Sequence, residues 1–135
     1  MSHFTSIQTQ LRHPEALIKA LADLGLYTVE VHAIAQHLHG FAGDIRSETA
    51  EIIIRRQFLG PMSNDIGFKR QPDETFQAII SEYDRLQYSP QWLDRLTQRY
   101  AYHALVQTAP MEGFAIEQEE VLPDGTIRLV LGRWV

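Results

Sequence analysis

Apolar residues recur at two periods along this chain, and the switches between them outline its elements. Leu17, Ala20, Leu21 and Leu24 repeat at helical spacing behind Pro14, which a first helical turn tolerates, and Gly25 supplies the stop. A helix is therefore predicted over 14–24. The looser alternation of Phe4, Ile7 and Leu11 suits an opening strand. Residues 26–32 and 49–56 are rich in β-branched and aromatic side chains and read as strands. Between them, residues 34–47 carry Gly40, Gly43 and several polar side chains, which predicts a loop or a short irregular strand.

Gly60-Pro61 and Ser63-Asn64 mark a turn, and residues 65–69 and 76–80 follow as strands around Gln71-Pro-Asp-Glu74. Ser89 and Pro90 have the chemistry of an N-cap and a first helical residue, and Pro110 and Gly113 bound the far end of that second helix. Residues 114–121 and 126–134 then pair as a hairpin over Pro123-Asp124-Gly125, where the glycine takes the positive φ. The order β-α-β-β-β-β-α-β-β predicts an α+β fold, mainly antiparallel sheet with two helices packed on it. Helices this short need the sheet to cover their apolar stripes.

Composition narrows the functional classes. A chain of 135 residues without repeat or linker is a single domain, 1–135, and 44% hydrophobic with 21% charged residues is ordinary for a globular protein. No run approaches the ~18 apolar residues that suggest a membrane helix, and Met1-Ser-His-Phe-Thr-Ser-Ile7 has neither the basic nor the apolar segment of a secretory signal. The chain contains no cysteine, which removes disulfides, thiolate nucleophiles and cysteine-ligated metals. A net charge of −5 disfavours nucleic acid, whose phosphates call for a basic balance.

On the second helix, Leu93, Leu96, Tyr100 and Ala104 share one stripe and form the expected core face. A neighbouring stripe holds Trp92, Arg95, Arg99, His103 and Val106. An indole, an imidazole and two guanidinium groups on one strip could bind a protein partner or an anionic ligand, since arginine offers a planar fork and aromatics anchor interfaces. The plainer reading gives the arginines acidic neighbours such as Asp94, Glu82 or the 117–120 run, lets Trp92 seal the core edge, and has His103 cap a strand carbonyl.

His32, His37 and His39 lie close in sequence, but neither a His-Glu-x-x-His helix nor a carboxylate set accompanies them, so no metal site is expected. Asp65 next to Gly67 could be read as a catalytic carboxylate. The alternative is a turn-ending Asp65, with Gly67 relieving crowding in a strand. No nucleophile elbow, phosphate loop or dinucleotide fingerprint occurs.

Leu96-Thr-Gln-Arg-Tyr-Ala-Tyr-His103, with Gly125-Thr-Ile-Arg-Leu129, Arg133-Trp134-Val135, Met1-Ser-His-Phe4 and Asp65-Ile-Gly-Phe68, resembles a family of small conserved hypothetical proteins of cyanobacteria and algal plastid genomes, a domain of unknown function. The resemblance spans nearly the whole chain and is blurred over 34–63. It implies a soluble protein of the cyanobacterial cytoplasm or plastid stroma with no established activity; no cofactor is expected. Residues 80–82, Ile-Ser-Glu, depart from the acidic residue that the resemblance implies at the end of that strand. The leading expectation is an accessory or interaction protein with Trp92, Arg95, Arg99 and His103 as candidate binding residues and a protein as partner. The alternative is a small-molecule or anion-binding enzyme in which Arg99 holds a carboxylate or phosphate and His103 moves a proton. The last strand carries apolar residues on both faces, so Trp134 is expected to be packed, with a second subunit as one way of covering it.

Overall fold

Five strands form one antiparallel sheet in the order β1-β5-β4-β3-β2, and a two-stranded ribbon, β6-β7, stands apart from it. The computed structural model describes residues 3–133. The strands are β1 (Phe4–Gln8), β2 (Glu30–His39), β3 (Ile45–Ile54), β4 (Ile66–Arg70), β5 (Phe76–Ser81), β6 (Phe114–Val121) and β7 (Ile127–Arg133). The helices are α1 (Pro14–Asp23) and α2 (Pro90–Thr108). The element order and the α+β class match the sequence expectation. Trp134, expected to be packed, lies outside the described residues.

Of the two readings offered for residues 34–47, the irregular strand is the nearer, with 34–39 in β2, a turn at 40–44 and 45–47 in β3. They belong mostly to the hairpin of β2 and β3, whose turn is closed by Gly40 N–H bonding to Asp44 O at 2.8 Å, with Gly43 at φ 80°. Composition misled here because polar residues alternate with Ile34 and Leu38 on an edge strand that faces water. The register slips between Val31 and Gln36, a bulge that masks the period-two pattern. The strand expected over 26–32 begins only at Glu30, and the one expected over 49–56 begins four residues earlier, at Ile45.

Both helices cover one face of the sheet. Ile52 and Ile54 of β3, Ile66 and Phe68 of β4, and Phe76, Ala78 and Ile80 of β5 alternate toward Leu17 and Leu21 of α1 and Trp92, Leu96 and Tyr100 of α2. A smaller cluster of Leu38, Ala50, Ile53 and Ile79, with Phe4 against it, occupies the opposite face. Gly67 sits in that smaller cluster. A Cβ there would lie 2.7 Å from the Ala50 Cβ and 3.0 Å from a Leu38 methyl, so the glycine relieves side-chain crowding as one sequence reading proposed.

Helix α1 starts without a cap of its own. His13 makes no side-chain capping bond; instead the Tyr100 hydroxyl of α2 accepts from Arg12 N at 2.8 Å and His13 N at 2.9 Å. A phenolic oxygen has two lone pairs and fills both with these donors. Helix α2 has the cap its sequence announces, Ser89 accepting from Trp92 N at 3.3 Å ahead of Pro90.

Candidate functional site

The second helix is wide enough in its apolar stripe to change the candidate set. Trp92, Leu96 and Tyr100 are its buried residues, with Leu93 and Ala104 flanking them. Trp92 is 5% exposed and meets the Tyr88 ring edge-on, with centroids 5.0 Å apart. Its indole therefore belongs to the core and not to the exposed strip. Trp92 falls at the boundary of the two stripes, where a large side chain leaning toward the helix N-terminus reaches the sheet.

Arg99 and His103 stay together and find a partner that was not among the expected ones. One oxygen of Asp23, the last residue of α1, accepts from Arg99 Nε at 2.7 Å and from His103 Nε2 at 2.6 Å. Burial raises the Asp23 pKa, but the bonds from His103 and Arg99 outweigh it and hold the carboxyl below its ordinary value. The Arg99 guanidinium lies 4.8 Å from the Tyr102 ring centroid, and the Tyr102 and His103 rings stack at 5.1 Å. Tyr102 in turn donates to Glu119 on β6 at 3.0 Å, and that bond is the main cause of its raised pKa. A polar chain thus ties α1, α2 and the ribbon. Arg95 is exposed and makes no ion pair among the described residues.

Beside this chain an apolar cleft of about 330 Å³ opens between α2 and β7, lined by Ala101, Tyr102, Leu105, Ile127 and Leu129, with Gln98 and Thr126 at its polar end. The ribbon register places Ile127 and Leu129 across from Val121 and Glu119, so this face of the ribbon looks onto α2 without filling the space. Tyr102 belongs both to the cleft and to the charged strip. Neither Arg99 nor His103 lines the cleft.

The most strongly bonded carboxylates lie elsewhere. Asp65 is fully buried and accepts from His39 N at 2.6 Å, Arg56 N at 2.7 Å and Arg55 Nη1 at 2.8 Å. Arg55 also grips Glu30 with two bonds, of 2.9 and 3.0 Å, and His32 adds one of 2.8 Å. The Arg55 bond is the chief reason the Glu30 pKa falls to about 2. Asp65 therefore stitches β2, β3 and the turn before β4, with its acceptor capacity taken up by the protein. A second buried carboxylate, Asp84, bonds Ser81 Oγ at 2.8 Å and Asn64 N at 2.9 Å. Sequence reading missed it, because the 3₁₀ turn Asp84–Leu86 carries no motif of its own. His37 bonds Arg46 O at 2.8 Å, and no group of three potential metal ligands converges among the described residues. No helix among them is long and apolar enough to cross a membrane.

Comparison with known proteins follows the same lines. The model of a family described as "Protein of unknown function (DUF1257)" matches residues 20–130. "Uncharacterized protein ycf35" of Cyanophora paradoxa is 32% identical over 99% of this chain and 98% of its own length. The proteins of that name from Pyropia yezoensis and Guillardia theta are 30% and 32% identical over the same shares. No solved structure matches the chain.

Proposed function

The chain belongs to the DUF1257 family of proteins of unknown function, and within it we propose that this protein is an accessory factor that binds a protein partner in a plastid stroma or cyanobacterial cytoplasm. The docking face is the outer flank of α2. One observation carries the reading: the charged strip and the apolar cleft are continuous through Tyr102, which packs under Arg99 on one side and lines the cleft on the other. An apolar side chain of the partner fills the cleft, and acidic groups beside it meet Arg95 and the terminal nitrogens of Arg99, whose Nε alone bonds Asp23. Arginine and tyrosine next to an apolar pocket are the composition of interface hot spots. His103 sits at the margin as a positioning group for Asp23, and Trp92 supports the face from the core.

The enzyme alternative asks Arg99 and His103 to receive a carboxylate or phosphate. For His103 to move a proton, a substrate would have to displace Asp23, which holds His103 Nε2 at 2.6 Å and Arg99 Nε at 2.7 Å. That competition favours the interaction reading.

The test uses immobilised full-length protein and lysate from a cyanobacterium or an alga that carries a relative. An Arg95→Glu/Arg99→Glu double variant and a Leu105→Arg variant are compared with the parent and with Ile34→Arg on the far edge strand. We expect both α2 variants to lose the same specific partner, which Ile34→Arg retains. If both fold as the parent does and keep every partner, this face is not the binding site.

A further inference from the structure

Two loops at the same end of the main sheet, residues 56–64 and 82–88, are fastened to each other from inside. Asn64 Nδ2 donates to Ser81 Oγ at 2.9 Å, Asn64 N and Ser81 Oγ donate to Asp84 Oδ2 at 2.9 and 2.8 Å, and Asp84 N returns a bond to Ser81 Oγ at 3.1 Å. Asn64 and Ser81 are 0% exposed and Asp84 is 3% exposed. The Arg56 guanidinium adds bonds to Ser63 O at 3.1 Å and Pro61 O at 2.9 Å. A fully satisfied buried network of this kind fixes one geometry.

What that rigid base presents is apolar. Leu86 is 85% exposed, Met62 55%, Phe58 49% and Tyr83 47%. Leu86 stands on the rim of a cleft of about 250 Å³ that Leu59, Pro61, Met62, Tyr83 and Gln87 also line. Glu82 and Arg85 flank the patch in sequence, one of each sign, and neither side chain makes an ion pair or hydrogen bond among the described residues.

We propose that this surface is a two-fold contact with a second copy of the chain, in which Leu86 of each copy enters the other's cleft and Glu82 of each faces Arg85 of the other. The patch contains its own complement. A knob lies beside a hole large enough for a leucine side chain, and two charges of opposite sign, Glu82 and Arg85, stand three residues apart in the same loop. An isologous interface demands that combination, since whatever residue i meets as j, j meets as i. A different partner would have to supply the matching knob, hole and pair of charges; a second copy brings them by symmetry. Leucine, methionine, phenylalanine and tyrosine on a rigid base suit the apolar centre of a homodimer contact. The contact rests on few side chains and is of the transient class. It is independent of the α2 face.

Sedimentation velocity of the full chain, up to about 200 μM, reads the association directly. The parent is expected to shift from monomer to dimer with concentration. Leu86→Asp, at a site already in water, should stay monomeric with an unchanged melting curve. Glu82→Arg and Arg85→Glu should each weaken the dimer by about tenfold, and the double exchange Glu82→Arg/Arg85→Glu should restore it. A parent that is monomeric throughout overturns the proposal and leaves the patch to another protein. A Leu86→Asp variant that dimerises like the parent overturns it by placing the contact elsewhere. Single charge variants that weaken association without rescue in the double overturn the two-fold register.

Discussion

Replacing Asp65 by alanine removes one carboxylate and strands three donors at once. Two are backbone N–H groups, of half-buried His39 and Arg56, held at 2.6 and 2.7 Å by a carboxylate that has no solvent exposure. Each buried amide left without an acceptor costs about 1–3 kcal/mol, so the pair accounts for roughly 2–6 kcal/mol. The third donor, Arg55 Nη1, keeps His37 O at 3.1 Å, and the rest of the guanidinium keeps Glu30, so it adds less. The expected loss is about 4 kcal/mol, a large share of the ~5–15 kcal/mol that holds a typical domain together. Asp65→Asn keeps one acceptor oxygen but turns an amide NH₂ toward a donor, and should lose about half as much, ~2 kcal/mol. Urea unfolding followed by circular dichroism at neutral pH gives both numbers, and amide exchange at His39 and Arg56 shows whether those two groups are the ones released. If Asp65→Ala does not fold, Asp65→Asn carries the test. A loss below about 1 kcal/mol in Asp65→Asn with an unchanged urea slope would refute the reasoning, since it would mean the three donors find water or other acceptors.

Two further outcomes follow from the same sheet. Gly67→Ala should cost roughly 1–3 kcal/mol from overpacking, because its Cβ would lie 2.7 Å from that of Ala50; the Ala50→Gly exchange in the same chain should recover part of the loss in urea midpoint. Glu30 titrates at about 2 in the folded protein against 4.5 as its ordinary value, so its contribution is complete above 4.5 and is lost as pH falls from there toward 2. Melting temperatures across that window should fall less steeply in Glu30→Gln than in the parent, and equal slopes would show that the Arg55 contact does not shape the acid limb. The Glu30 side chain is 39% exposed, so screening by water keeps the effect modest.

Where side chains alternate against a covering layer, the sequence was easy to read. Phe76, Ala78 and Ile80 face the helices in strict period two, and α1 and α2 show their stripes and punctuation in Pro14, Gly25, Ser89 and Pro90. The hairpin of β2 and β3 was illegible because one of its strands is a bulged edge with water on one side. On α2 the wheel separated Arg95, Arg99 and His103 from the core correctly but misplaced Trp92, which a boundary position and a long reach carried inward. The pairing of Arg99 and His103 with Asp23 spans 76 and 80 residues, and no local pattern announces it. Asp84 was hidden for the same reason: its bonds to Asn64 and Ser81 exist only once two loops meet.

The Tyr100 hydroxyl that holds the backbone just ahead of α1 bears on the order in which the molecule can be completed. His13 is made 87 residues before the side chain that receives its N–H. At ten residues α1 is shorter than the ~12–15 that an isolated helix needs to persist in water, and its apolar stripe has no cover until the sheet and α2 exist. Strand β1 waits as well, since Phe4 to Gln8 pair only with residues 77–81 of β5. This segment therefore cannot dock until residues 77–81 and Tyr100 have been made, and is then held on one side by β5 and on the other by a tyrosine near the middle of α2. Until then the nascent chain carries an uncovered α1 stripe and an unpaired β1 edge, the kind of surface that attracts chaperones and other unfinished chains.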